Sequence, residues 1–184
     1  MKNIILGVTG SIAAFKAAEL AHFFFKQGYE VEVIMTENAK QFITPLTFRS
    51  LTKRNVYAEM FQDDFPMDIK HISLAQKADV VLIAPATANI IGKIAAGIGD
   101  DMLSTTILAI RDKPVLIAPA MNTNMWDNPI VQDNIIKLKK YGYQFIEPKE
   151  SMLACGVVDK GALAELEDII KAVNKCMENK NEAN

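Results

Sequence analysis

Cysteine is scarce in this chain of 184 residues, with Cys155 and Cys176 the only two. Two thiols cannot supply a disulfide framework, so a reducing, cytoplasmic setting is expected. Histidine is equally scarce: His22 and His71 stand far apart, and no Cys-x-x-Cys accompanies them. A metal site therefore has no candidate ligands. Neither sign of charge dominates, since 20 Lys and Arg face 22 Asp and Glu for a net charge of −2. That balance excludes the basic surface of a nucleic-acid binder. Long apolar runs are missing too, because Pro, Asn, Lys or Gly interrupts each stretch short of the roughly 18 residues a membrane span requires. Met1-Lys2-Asn3 leads into a strand-length apolar run and does not read as a signal peptide. What is abundant is apolar side chain, at 50% of the residues, enough for a sizeable core. The length predicts one domain, taken as residues 1–177 with a frayed polar tail over 178–184.

The periodicity alternates between strand and helix. Ile4-Ile5-Leu6-Gly7-Val8 is a continuous apolar run of strand length, and such runs are buried on both faces. Ser11 to Lys26 predicts a helix capped by Ser11 and stopped at Gly28. Val31–Met35 is the next strand, followed by weaker helical text from Glu37 to about Leu51, broken by Pro45. Asp79–Ala84 and Val115–Ala118 are strands ending at Pro85 and Pro119, with helices around Ala88–Ala96 and Met102–Ile110. Asn128–Tyr141 reads as a helix, Gln144–Ile146 as a last core strand, and Leu163–Met177 as a closing helix. Alternation at this spacing predicts a parallel sheet covered by helices on both faces.

Ligands of an open parallel sheet bind beyond the carboxyl ends of its strands. Here those ends carry Thr9-Gly10-Ser11, Thr36-Glu37-Asn38, Pro85-Ala86-Thr87-Ala88-Asn89 and Pro119-Ala120-Met121-Asn122. Gly10-Ser11 opens a helix, which suits an anion, and equally suits a plain turn and cap. The dinucleotide spacing G-x-G-x-x-G is absent, as is the Gly-Lys-Ser/Thr of a P-loop, so a mononucleotide phosphate fits better than a pyrophosphate. The Pro85–Asn89 exit has small residues that admit a flat ring and polar edges at Thr87 and Asn89, or it is a helix cap alone. Met121, Met125 and Trp126 place apolar bulk in a turn-rich loop, which points to binding, against a loop folded over its own cluster. His71 precedes a helix, and an imidazole there is suited to serve as a base, though a lone histidine equally reads as structural. His22 reads as structural. Cys155 lies outside any strong periodicity, while Cys176 falls within the closing helix.

In the order Gly10-Ser11-Ile12-Ala13-Ala14, His71-Ile72-Ser73-Leu74-Ala75, Pro85–Asn89, Pro119–Asn122 with Met125-Trp126, and Leu153-Ala154-Cys155-Gly156, these segments resemble the flavin-dependent cysteine decarboxylase family. The resemblance covers Gly7 to about Glu165. It implies a flavodoxin-like (Rossmann-type) three-layer α/β/α fold with a parallel sheet, and FMN held between subunits of a homotrimer or a higher assembly of trimers. It places Gly10, Ser11, Ile12 and Thr36 around the FMN phosphate and ribityl chain, and Thr87, Ala88, Asn89 and Ala120 along the isoalloxazine. It makes His71 the active-site base, Asn122 the holder of the substrate carboxylate and Cys155 the proton donor. Met125, Met152, Leu153 and Ala154 become substrate contacts, the last three in a flap.

Within the family, the resemblance runs to the branch that decarboxylates 4′-phosphopantothenoylcysteine to 4′-phosphopantetheine in coenzyme A biosynthesis. The implied scheme is flavin oxidation to a thioaldehyde, loss of CO2 and re-reduction of the enethiol. Losing CO2 from a cysteine carboxylate leaves electrons with no sink, and no side chain provides one. The alternative is an oxidative decarboxylase of peptidyl C-terminal cysteine, of the lantibiotic-modifying type, which lacks the Cys155 element. Two departures stand out. Ile90 occupies a position where many members have Thr, and Val157–Glu165 replaces a Gly-rich stretch ending in Gly-Arg-Met. The chain is expected to act without a fused synthetase domain.

Overall fold

The computed structural model describes residues 2–60, 69–152 and 158–182. Six strands form one parallel sheet: β1 (Asn3–Val8), β2 (Glu30–Met35), β3 (Val56–Tyr57), β4 (Val80–Ala86), β5 (Val115–Pro119) and β6 (Gln144–Phe145). Their order is β3-β2-β1-β4-β5-β6. That is the order of a doubly wound, Rossmann-type sheet. The chain winds outward from β1 through β2 and β3, then crosses back to lay β4 on the other side of β1. The topological switch point is therefore between β1 and β4.

Alternate side chains of each strand feed opposite layers. Ile4, Leu6, Val8, Val33, Met35, Leu82 and Leu116 pack under α1 (Ala14–Lys26), α2 (Pro45–Thr52) and α8 (Leu166–Glu182). Ile5, Ile34, Val81, Ile83 and Ile117 pack under α3 (Lys70–Lys77), α4 (Ala88–Ala96), α5 (Met102–Leu108) and α7 (Pro129–Lys140). In α1 the buried residues are Ala14, Ala17, Leu20, Ala21 and Phe24. This three- and four-residue spacing is what seats one helical face on a sheet. The three-layer expectation holds.

Several local expectations change. Ser11 does not cap α1: the helix starts after Ala13, and the Ser11 hydroxyl accepts from the Ala13 N–H (3.2 Å) in the turn before it. Pro45 does not break a helix but opens α2, because the first helical position needs no N–H. Between β2 and α2 the chain makes a short 3-10 turn, Glu37–Gln41, capped by Thr36. β4 continues past Pro85, which shifts the register against β5 rather than ending the strand. The closing helix runs on to Glu182, because its buried stripe of Ile169, Val173 and Met177 carries the polar helix formers beyond it. Trp126 lies in a further short helix, α6 (Thr123–Trp126), and an antiparallel hairpin joins β7 (Lys149–Met152) to β8 (Val158–Ala162). Neither α6 nor the hairpin is expected from periodicity, since four- and five-residue elements are too short to show one. Among the described residues no helix is long and apolar enough to cross a membrane, and no group of His, Cys, Asp or Glu forms a metal site.

Candidate active site

The switch point is fastened by one side chain. Thr9, almost fully buried after β1, donates its hydroxyl to the Pro85 carbonyl (2.7 Å) and accepts from the Thr87 N–H (3.1 Å). The exits of β1 and β4 are thus held at a fixed separation. The next residue must be glycine: a Cβ on Gly10 would lie 2.5 Å from the Cβ of Asn38. Only a bare backbone lets the approach to α1 rest against the Thr36–Gln41 turn. Thr36 accepts from the Ala39 N–H (3.3 Å), so its hydroxyl shapes this second wall.

The β5 exit forms the far wall. The Asn122 Oδ1 accepts from the Asn124 N–H (2.9 Å) and caps α6. Asn128 caps α7 in the same way through the Ile130 N–H (2.9 Å). The hairpin lies across this loop. Its Gly161 carbonyl accepts from the Met121 N–H (2.9 Å), and Thr123 donates to the Lys160 carbonyl (2.7 Å). Gly161 has a φ of +142°, and a Cβ there would meet the Met121 carbonyl oxygen, so glycine permits the close approach. The Lys160 ammonium sits 5.5 Å from the centre of the Trp126 ring. Trp126 is itself buried in the layer under α3, α4, α5 and α7, which assigns the loop's largest apolar residue to packing.

These walls enclose a cleft of about 860 Å³. That is the upper part of the range for cofactor and ligand sites. Of the residues singled out from sequence, Gly10, Ser11, Ile12, Thr36, Thr87, Asn89, Ala120, Asn122 and Met125 line it. Ala88 does not: it opens α4 and faces elsewhere. Nor does His71, which lies in the first turn of α3 on the layer shared with α5, half-buried and outside the cleft of its own chain. Ile90, where many members have Thr, is buried in the layer under α3, α4, α5 and α7, so this departure alters packing rather than the cleft. Met152 ends β7, and the flap residues Leu153, Ala154 and Cys155 fall outside the described residues.

Sequence reasoning missed the charged lining. Lys16, Glu37, Lys93, Asp101 and Lys149 all face the cleft. Lys93 binds Asp100 (2.6 Å) and Asp101 (2.8 Å). Burial alone would lower the Lys93 pKa, but its hydrogen bonds to both carboxylates raise it. For Asp101 burial acts upward, yet the bonds from Lys93 and the Ser104 N–H hold it below the usual carboxylate value. Lys149 pairs with Glu165 (2.5 Å). That hydrogen bond and the Lys149 charge, with a further contribution from Lys16, keep Glu165 below its ordinary range.

A doubly wound α/β domain with an open cleft at its switch point is a ligand-binding domain by construction. This chain belongs to the Flavoprotein family, whose model matches residues 1–178. It is 50% identical over 175 residues to a probable phosphopantothenoylcysteine decarboxylase of Streptococcus mutans, covering 95% of this chain and 98% of that protein. It is 51% identical over 174 residues to the coenzyme A biosynthesis bifunctional protein CoaBC of Bacillus subtilis, covering 95% of this chain and 43% of that protein. The chain thus spans less than half of that bifunctional relative. Among solved structures, a Cys→Ser mutant of PPC decarboxylase complexed with pantothenoylaminoethenethiol superposes with a TM-score of 0.85 at 33% identity, covering 96% of this chain and 98% of that one. The FMN-dependent cysteine decarboxylase SpaF follows at a TM-score of 0.83 and 31% identity, covering 96% and 98%.

Proposed function

We propose that this chain is an FMN-dependent phosphopantothenoylcysteine decarboxylase that converts 4′-phosphopantothenoylcysteine to 4′-phosphopantetheine in the cytoplasm. The observation that carries the reading is 50% identity along essentially the full length of a relative bearing that activity's name. The cleft fits the cofactor. Gly10 leaves no Cβ between the approach to α1 and the Thr36–Gln41 turn, the start of α1 has no side-chain cap, and Thr87 and Asn89 face the cleft at the β4 exit. An uncapped helix start offers N–H groups and a positive dipole to a phosphate. Bound FMN supplies the two-electron sink that decarboxylation of a cysteine needs and no side chain can offer.

The chain's own residues bind, orient and move protons. Asn122, held at the β5 exit by its cap on α6, orients the substrate carboxylate through its amide. An amide orients that group without the positive charge that would oppose its departure as neutral CO2. His71 takes the proton as base, and Cys155 returns one to the product carbon. Because His71 does not line the cleft of its own chain, it serves a neighbouring copy in a homotrimer. Exposed apolar side chains at the cleft support such contacts: Ile12, Phe15 and Phe42 are each at least half exposed.

The purified protein is expected to be yellow. Incubation with 4′-phosphopantothenoylcysteine should give a product that has lost CO2 and kept both hydrogens, by mass. A product two hydrogens short would instead mark an oxidative decarboxylase of peptidyl cysteine. Cys155→Ser is expected to release CO2 and stop at that oxidised enethiol. Full turnover by this variant would refute the role given to Cys155.

A further inference from the structure

Three lysines reach the cleft from three different segments, and they are not equivalent. Lys93 is neutralised on the spot by Asp100 and Asp101. Lys149, the first residue of β7, and Lys16, in the first turn of α1, share one carboxylate, that of Glu165 just before α8. Lys149 is hydrogen-bonded to it, and Lys16 acts on it from further away. Two cations against one anion leave an excess positive charge on this wall. The arrangement is also placed with care. Lys149 pairs across the hairpin with Ala162, and the neighbouring Gly161 carbonyl holds Met121 beside Asn122. The lysine is therefore fixed relative to the amide that takes the substrate's carboxylate. The Lys149 side chain is 28% exposed against 60% for Glu165, so the carboxylate can swing into solvent while the lysine stays at the cleft.

We infer that Lys149 and Lys16 form the seat of a phosphate monoester, namely the 4′-phosphate of the substrate, with Glu165 pairing Lys149 until that phosphate displaces it. The inference rests on the decarboxylase reading and names the group that recognises the far end of its substrate. A dianionic phosphate offers three acceptor oxygens to two ammonium groups, and charge-assisted bonds of this kind are about twice as strong as neutral ones. The cofactor's phosphate is the other source of the same chemistry. It is assigned instead to Gly10-Ser11 and the Thr36 turn, where the backbone approaches most closely.

The test uses the flavin-loaded protein. Calorimetric titration with 4′-phosphopantothenate and with pantothenate reads the phosphate contribution without turnover. Bound flavin per chain is measured by absorbance in every variant. In the wild type the phosphorylated ligand is expected to bind at least about tenfold tighter, the effect of one good charge-assisted hydrogen bond. Lys149→Gln should shrink that ratio several-fold, Lys149→Arg should recover part of it, and Glu165→Gln should widen it by removing the competing carboxylate. Flavin content should stay constant across the set. An unchanged ratio in both Lys149→Gln and Lys16→Gln would overturn the inference. So would lost flavin with the ratio retained, since the lysines would then serve the cofactor. Whether the wild type releases CO2 from 4′-phosphopantothenoylcysteine is read separately and decides the decarboxylase reading alone.

Discussion

Thr9 and Gly10 show how little room single residues leave at the switch point. Thr9→Val keeps the shape but strands the Pro85 carbonyl and the Thr87 N–H without their partner. A loss of about 1–3 kcal/mol in urea unfolding is expected, the cost of leaving buried polar groups unpaired. Gly10→Ala forces a methyl to within 2.5 Å of the Asn38 Cβ, so the Thr36–Gln41 turn must yield. The expected outcome is a protein that folds, costs about 1–3 kcal/mol for overpacking, and retains less than half its flavin by absorbance. His71→Asn separates chemistry from binding. Because His71 lies outside its own cleft, the variant should keep its flavin yet lose about 10²–10⁴-fold in CO2 release, the usual worth of a general base. A colourless variant would make His71 structural.

At the scale of elements, the α4–α5 junction is a pH-sensitive joint. Lys93 of α4 reaches Asp101, which caps α5 by accepting from the Ser104 N–H (2.7 Å). Asp101 is held below its ordinary pKa, so its contribution is complete above about pH 4, where the unfolded carboxyl ionises, and is lost as pH falls through the lower folded value. Lys93→Met should therefore cost about 1–2 kcal/mol near neutrality, the scale of a hydrogen bond between charged groups. The gap to wild type should close in acid, as read from urea midpoints between pH 7 and pH 3. The second joint is the β7–β8 hairpin, held on the β5 exit by Gly161, Thr123 and the Lys160–Trp126 contact. It sets the distance between Lys149 and Asn122, the two groups proposed to hold the ends of the substrate.

For the whole molecule, the displacement of His71 from the cleft is the feature that one chain does not resolve. Around the cleft, apolar side chains that a solitary domain would bury face outward, with Phe15 at 54% and Phe42 at 50% exposure. Both observations are explained if copies of the chain complete one another's sites. Light scattering is expected to give about three times the 20.4 kDa mass of one chain, or a multiple of that trimer. Phe42→Asp should shift the mass downward and release flavin together, because one surface would then serve both assembly and cofactor. Dissociation with flavin fully retained would separate the two.

The sequence by itself determined the strands and the helical faces that cover them. Continuous apolar runs such as Ile4–Val8 and three- and four-residue spacing such as Ala14–Phe24 are local patterns with local causes. It also marked the lining residues at the strand exits, because a parallel sheet gathers those exits on one edge wherever the strands lie in it. Short pieces escaped it: the two-residue β3, the four-residue α6 and the β7–β8 hairpin are too brief to show a period. Only the tertiary structure decided the order β3-β2-β1-β4-β5-β6, and with it the switch point that Thr9 fastens. It alone brought Lys16, Lys149 and Glu165 together from positions up to 149 residues apart, and took His71 away from the residues it was grouped with. Convergence of distant charges is a property of how layers stack, and no pattern along the chain encodes it.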